Sequence, residues 1–159
     1  MKNLRENYSK LASRFSLPPY EELDKDFELL YARELFEINR PLVFVRRRIC
    51  DKIGWTCGML QGLIQPNPGS MLSIEESSFF TKEEKQENFV KLLKNLMYFT
   101  RKSITLDLES TDEEEAEFIK EICNRWNEVK PEIKTIAEQL KEGWKNDKES
   151  KKESHNHLG

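Results

Sequence analysis

From Phe118 to Trp144 the chain sets Phe118, Ile122, Trp126, Val129, Ile133, Ile136, Leu140 and Trp144 at spacings of four, four, three, four, three, four and four. Only a helix of 3.6 residues per turn gathers such positions on one side, so this pattern predicts a helical stretch longer than most domains contain. The phase survives Pro131, which predicts one long kinked helix or two nearly collinear ones. A helix with one apolar stripe must bury it, and the rest of the chain has to supply the cover.

The rest of the chain reads as further helices between clear breaks. Leu4, Tyr8, Leu11 and Phe15 form a short apolar face that Ser16-Leu17-Pro18-Pro19 ends. Prolines suit the opening of the next helix, whose stripe is expected at Tyr20, Leu23, Phe27, Leu30, Tyr31 and Ile38. Asn39-Arg40-Pro41 marks a break, and Leu42 to Ile64 forms a third helix with Leu42, Val45, Ile49, Ile53, Leu60 and Ile64 in one sector. Trp55 and Met59 fill its remaining side, so its second half is expected to be central, with almost no solvated face. Gln65 to Ser70 is a loop of Pro, Asn, Gly and Ser. Met71 to Phe80 follows as a short helical turn plugged by Phe79 and Phe80. Thr81 with Glu84 makes a capping box for a helix whose stripe is expected at Phe89, Leu93, Leu96, Met97, Thr100 and Ile104. Residues 103–108 also alternate like a strand, but no partner strand exists, so they are assigned to the helix. Ser110-Thr111-Asp112 is the last break before the acid-rich start of the long final helix. The fold class is therefore all-α: an antiparallel bundle of about four principal helices plus a short N-terminal one. One domain over residues 1–145 is expected, with residues 146–159 a disordered charged tail.

Composition narrows the function classes. With 159 residues, 35% of them charged and 37% hydrophobic, there is material for one core. No apolar run approaches the ~20 residues that a bilayer span needs. Residues 1–10 lack the apolar segment of a secretory signal, and a cytoplasmic address without membrane contact is the expectation. Cys50, Cys57 and Cys123 are odd in number, contain no CxxC pair, and are expected as reduced thiols packed like small hydrophobes. The two histidines, His155 and His157, lie in the tail, which leaves no metal set, no Cys–His or Ser–His–Asp nucleophile and no di-iron motif. No cofactor and no catalytic residue is assigned.

Two acid motifs stand apart. Glu83-Glu84-Lys85-Gln86-Glu87 and Glu109-Ser110-Thr111-Asp112 match the EExxE and ExxD pair, and in this the chain resembles the all-α, magnesium-dependent nucleoside triphosphate pyrophosphohydrolases of the MazG and dimeric dUTPase type. The resemblance implies two facing helices whose carboxylates share metal ions on a substrate's phosphates. The 21 residues between the motifs read as one helix, which would set them about 33 Å apart. The enzyme therefore ranks last among three readings.

The basic cluster Arg40, Arg46, Arg47, Arg48 and Lys52 is the candidate binding surface. Three consecutive arginines fan over about 200° of a helix and cannot share one solvated face, so at least one must pair internally. Acids of neighbouring helices, for instance around Glu28, Glu34 and Glu37, are the expected partners, and phosphate contact makes the alternative, a nucleic-acid-associated protein. Gly54, Gly58 and Gly62 recur every four residues at a cost of about 3 kcal/mol relative to alanine, and close approach of another helix is the expected compensation. The first reading is accordingly a small helical protein that acts as an interaction module or small subunit. Its partner is a protein, another or itself as a homodimer, and Phe79, Phe80, Trp126 and Trp144 are the expected excess apolar surface. Charge supports pairing among helices: residues 1–60 carry 11 basic and nine acidic side chains, and residues 111–159 nine and 13.

Overall fold

A computed structural model describes residues 4–29 and 39–156, with side chains to residue 146. The fold is all-α, and the described residues contain no strand. The helices are α1 (Leu4–Phe15), α2 (Tyr20–Phe27), α3 (Pro41–Ile64), α4 (Met71–Ser78), α5 (Val90–Leu108) and α6 (Asp112–Asn156). A π-helical segment, Glu84–Phe89, leads directly into α5.

Each boundary has a local cause. After α1, Ser16 takes a left-handed conformation (φ 54°) and the amide of Leu17 donates to the carbonyl of Ala12 at 3.0 Å, which closes the last turn. α2 opens on Pro19, whose carbonyl accepts from the amides of Glu22 and Leu23. It ends at Phe27 because Glu28 is left-handed (φ 53°) and turns its amide back to Asp24. The second helix is thus shorter than its apolar pattern suggested. Leu30, Tyr31, Glu34, Glu37 and Ile38 lie outside the described residues.

Ser70 caps α4, its hydroxyl accepting from the amide of Ser73 at 3.2 Å. The capping box ahead of α5 forms as the sequence suggests: the Thr81 amide donates to Glu84 Oε2 (2.7 Å) and the Glu84 amide to Thr81 Oγ1 (3.1 Å). A second box, Thr111 with Glu114, opens α6. α6 continues through Pro131 without interruption and on to Asn156, into the stretch where the sequence suggests that regular structure ends.

The chain, expected as one domain over residues 1–145, gathers into two compact units. The first comprises Met1–Cys57 and Asn95–Trp126, the second Gly58–Lys94 and Asn127–Gly159. In the first unit Tyr8, Leu23, Phe27, Leu42, Ile49, Ile53, Leu96, Phe118, Ile119 and Ile122 are buried, with Phe27 against Trp126 and Phe99 against Phe118 at centroid distances of 5.6 and 5.9 Å. Tyr8 packs edge-on to Tyr20 and donates its hydroxyl to the Pro18 carbonyl at 2.8 Å.

In the second unit Leu60, Leu63, Phe80, Phe89, Leu92, Val129 and Ile136 are buried, with Phe80 edge-on to Phe89 at 5.0 Å. α4 is held by three contacts: the Ser77 hydroxyl donates to the Leu63 carbonyl (2.7 Å), Trp144 Nε1 donates to Glu76 (2.9 Å), and Phe79 stands edge-on to Trp144. Lys85 adds bonds to the Ser77 carbonyl and hydroxyl from the π-helical segment.

Two expectations about burial are corrected. The second half of α3 does have a solvated face, since Gly54 and Gly58 are exposed and Trp55 is 66% exposed. The buried stripe of α5 runs through Phe89, Leu92, Leu96, Phe99, Ser103 and Leu106, which leaves Ile104 half in solvent. Leucine occupies both 92 and 93, so periodicity alone cannot choose the face. The choice falls where Ser103 meets a buried charge.

Candidate functional site: the arginine cluster and its surroundings

α3 brings the arginines past α5 and α6 inside the first unit, and their fates differ. Arg46 is fully buried. Its Nε donates to Glu115 Oε2 at 2.6 Å, Nη2 to Asp107 Oδ1 at 2.8 Å, and Nη1 to the carbonyl and hydroxyl of Ser103 at 3.2 and 2.5 Å. Glu115 is also fully buried, and its second oxygen accepts from the Ser110 hydroxyl at 2.7 Å. Arg40 closes the network from the other side, donating to the Ser110 carbonyl (2.7 Å) and hydroxyl (3.1 Å).

A buried guanidinium is tolerated when each N–H finds an acceptor, and here all three nitrogens do. Burial alone would lower the pKa of Arg46, but its hydrogen bonds to Glu115 and Asp107 reverse that and hold it above the ordinary value. The bond from Arg46 holds the Asp107 carboxyl below its usual range, with help from Arg47.

Arg47 is exposed and reaches Asp107 through Nε (3.1 Å) and Nη2 (3.0 Å). Arg48 bonds Asp51 (3.2 Å) and the carbonyl of Glu28 (3.4 Å). Lys52 is half-buried, and its ammonium has no hydrogen bond or ion pair among the described residues, although its carbonyl accepts from the Thr56 hydroxyl at 3.0 Å. Internal pairing engages Arg40, Arg46, Arg47 and Arg48; of the acids expected as partners, Glu34 and Glu37 lie outside the described residues. Asp107, Glu115, Ser103 and Ser110 lie far along the chain, and Glu28 contributes its backbone instead of its carboxylate. The acid-rich start of α6 and the Ser110 break were visible signals; that Glu115 turns inward was not.

The glycines are the clearest correction. A Cβ at Gly54, Gly58 or Gly62 would meet nothing within 4 Å, so no helix among the described residues packs closely there. The close approach occurs instead at Gly143, where a Cβ would stand 2.4 Å from Cδ2 of Phe79. Phe80 and Trp126 are buried, and Phe79 and Trp144 are half-buried edge-on to each other, so none of the four stands among the exposed large hydrophobic side chains. Large side chains in solvent are Trp55, Met71, Leu72, Ile74, Tyr98, Ile104 and Leu108, spread over α3, α4 and α5.

The acid motifs stand at opposite ends of one helical stretch, residues 82–108. Glu84 is committed to the Thr81 cap, whose backbone amide holds its carboxyl below the usual range. Among the described residues no three His, Cys, Asp or Glu side chains gather as a metal set. No helix among them is long and apolar enough to cross a membrane. The three cysteines are free, Cys57 and Cys123 buried and Cys50 half-buried. Burial, with Glu22 and Asp26 nearby, pushes the Cys123 thiol up to about 12.

No known protein family, curated protein or solved structure matches this chain.

Proposed function

We propose that the protein works by binding polypeptides through the outer faces of α3, α4 and α5, as an interaction module or small subunit without catalytic chemistry of its own. One observation carries this reading: Trp55 on α3 is 66% exposed, Met71 on α4 86% and Leu108 on α5 84%, with Leu72, Ile74, Tyr98 and Ile104 also in solvent. Single exposed hydrophobes are ordinary, but several on neighbouring turns of structured helices mark surfaces that another chain covers. A cytoplasmic setting belongs to the same reading, supported by three free thiols.

Phosphate binding by the arginine cluster has less support. Arg46 offers no surface, and Arg40, Arg47 and Arg48 already donate to internal acceptors. Retention on immobilised DNA or RNA is expected to be weak and unchanged in Arg47→Glu; strong retention that falls steeply with salt and disappears in that variant would reverse the ranking.

The direct test places a photoreactive amino acid at residue 55 or 108 in the native cell. Adducts with polypeptide are expected at both positions. Adducts with nucleic acid alone, or none at either position, would overturn the reading.

A further inference from the structure

In the second unit the helix that becomes α5 changes its bonding pattern partway. Residues 82–83 are α-helical, and the Lys85 amide donates to the Thr81 carbonyl, four residues back, at 3.2 Å. From Glu84 to Phe89 the pattern is π-helical, and the Val90 amide donates to the Lys85 carbonyl, five residues back. An α-helix would give Val90 the carbonyl of Gln86 instead. The π turn therefore holds one residue more than an α turn, and it sets what precedes it about 100° out of phase with α5.

Such a turn persists where its two sides are pinned separately. After it, Phe89 and Leu92 are buried and fix the phase, with Phe89 edge-on to Phe80. Before it, Lys85 reaches α4, its ammonium donating to the Ser77 carbonyl at 3.1 Å and hydroxyl at 3.0 Å, and Glu84 accepts from Gln139 of α6 at 3.4 Å. If the segment closed to an α-helix with Phe89 and Leu92 in place, Gln86 would take the position of Lys85. A neutral amide, one bond shorter, would then face Ser77 in place of the ammonium.

α4 itself is lightly held. Ser77 is its only buried residue, and Met71, Leu72 and Ile74 stand in solvent. Hydrogen bonds from Ser77 to Leu63 and from Trp144 to Glu76, with the Phe79 ring against Trp144, keep it in place. An element with so little buried apolar surface belongs to the low-stability end of a structure and opens locally.

We infer that α4 and the π-helical segment form one conformational switch: with α4 docked the segment is π-helical, and with α4 released it closes to an α-helix continuous with α5. Undocking takes both Ser77 acceptors from Lys85 and so removes a pin before the turn, while the buried pin after it remains. The backbone then gains by leaving the rarer π form. In the opposite direction, closure withdraws Lys85 and loosens α4. The start of α5 thus registers whether α4 is in place, and this coupling holds whether or not a polypeptide partner binds there.

Nuclear magnetic resonance of the isotope-labelled full chain tests the switch, through the coupling across the Val90 hydrogen bond and through hydrogen exchange in α4. In wild type the coupling is expected to the Lys85 carbonyl. Lys85→Met keeps most of the side chain's bulk without its charge, and is expected to move the coupling to Gln86 and to speed α4 exchange about tenfold. Gly143→Ala acts on α4 from α6, since a Cβ there would overlap the Phe79 ring, and is expected to shift the Val90 bond in the same direction. Circular dichroism checks that both variants stay folded. The inference is overturned if Val90 stays on Lys85 in Lys85→Met, or if it moves to Gln86 there while α4 exchange is unchanged. Gly143→Ala with α4 exchanging faster and Val90 still on Lys85 would overturn it too, as would a wild type with Val90 on Gln86.

Discussion

Arg46 has no solvent to fall back on, so its charge depends on Glu115, Asp107 and Ser103. Arg46→Met would leave the buried Glu115 carboxylate without its counter-charge, and an urea melt is expected to show a loss of about 3–5 kcal/mol. Replacing both partners, Arg46→Met with Glu115→Leu, is expected to recover most of that loss, because apolar side chains of similar volume carry no desolvation cost there. The sequence discloses part of this site. Three arginines in a row on a helix must send at least one inward, but neither which one nor its acceptors can be read locally, since Glu115 lies 69 positions away. The glycine pattern misled for a related reason. Periodic spacing defines a face but not what lies opposite it, and Gly54, Gly58 and Gly62 face open space.

Among the helices, the caps were the most legible features and the faces the least. Thr81 and Glu84 form their box because both partners lie within one turn of backbone. The α5 stripe was misread by about one position because its selection depends on Ser103 serving Arg46, a contact made by another helix. Two glycine substitutions should part in opposite directions. Gly58→Ala adds a methyl group in open space and is expected to stabilise the protein by about 0.5–1 kcal/mol. Gly143→Ala drives a methyl group into the Phe79 ring, displaces it from Trp144, and is expected to cost about 1–3 kcal/mol while hydrogen exchange in α4 accelerates. Ser16→Gly relieves a left-handed serine and is expected to raise the melting temperature.

For the whole molecule, the balance of charge sets the response to pH. Asp107 has its pKa depressed by Arg46, so its contribution is complete above the unfolded carboxylate value of about 3.9 and is lost as pH falls through the lower folded value. Cys123 works at the other end: the unfolded thiol ionises near 8.5 and the folded one only at about 12, so stability declines over that interval. Urea midpoints are expected to plateau between these limits, and Asp107→Asn should flatten the acid limb. The apolar stripes would tolerate sliding of one helix along another, since leucine and isoleucine exchange at modest cost. Glu115 would not. Moving α6 by one turn would set Thr111 or Ile119 where Glu115 stands and leave the Nε side of a sealed guanidinium without its carboxylate, with Asp107 of α5 as its one remaining counter-charge among those described. A single ion pair in the first unit thus acts as an error check on assembly, rejecting misaligned packings that the greasy surfaces alone would accept.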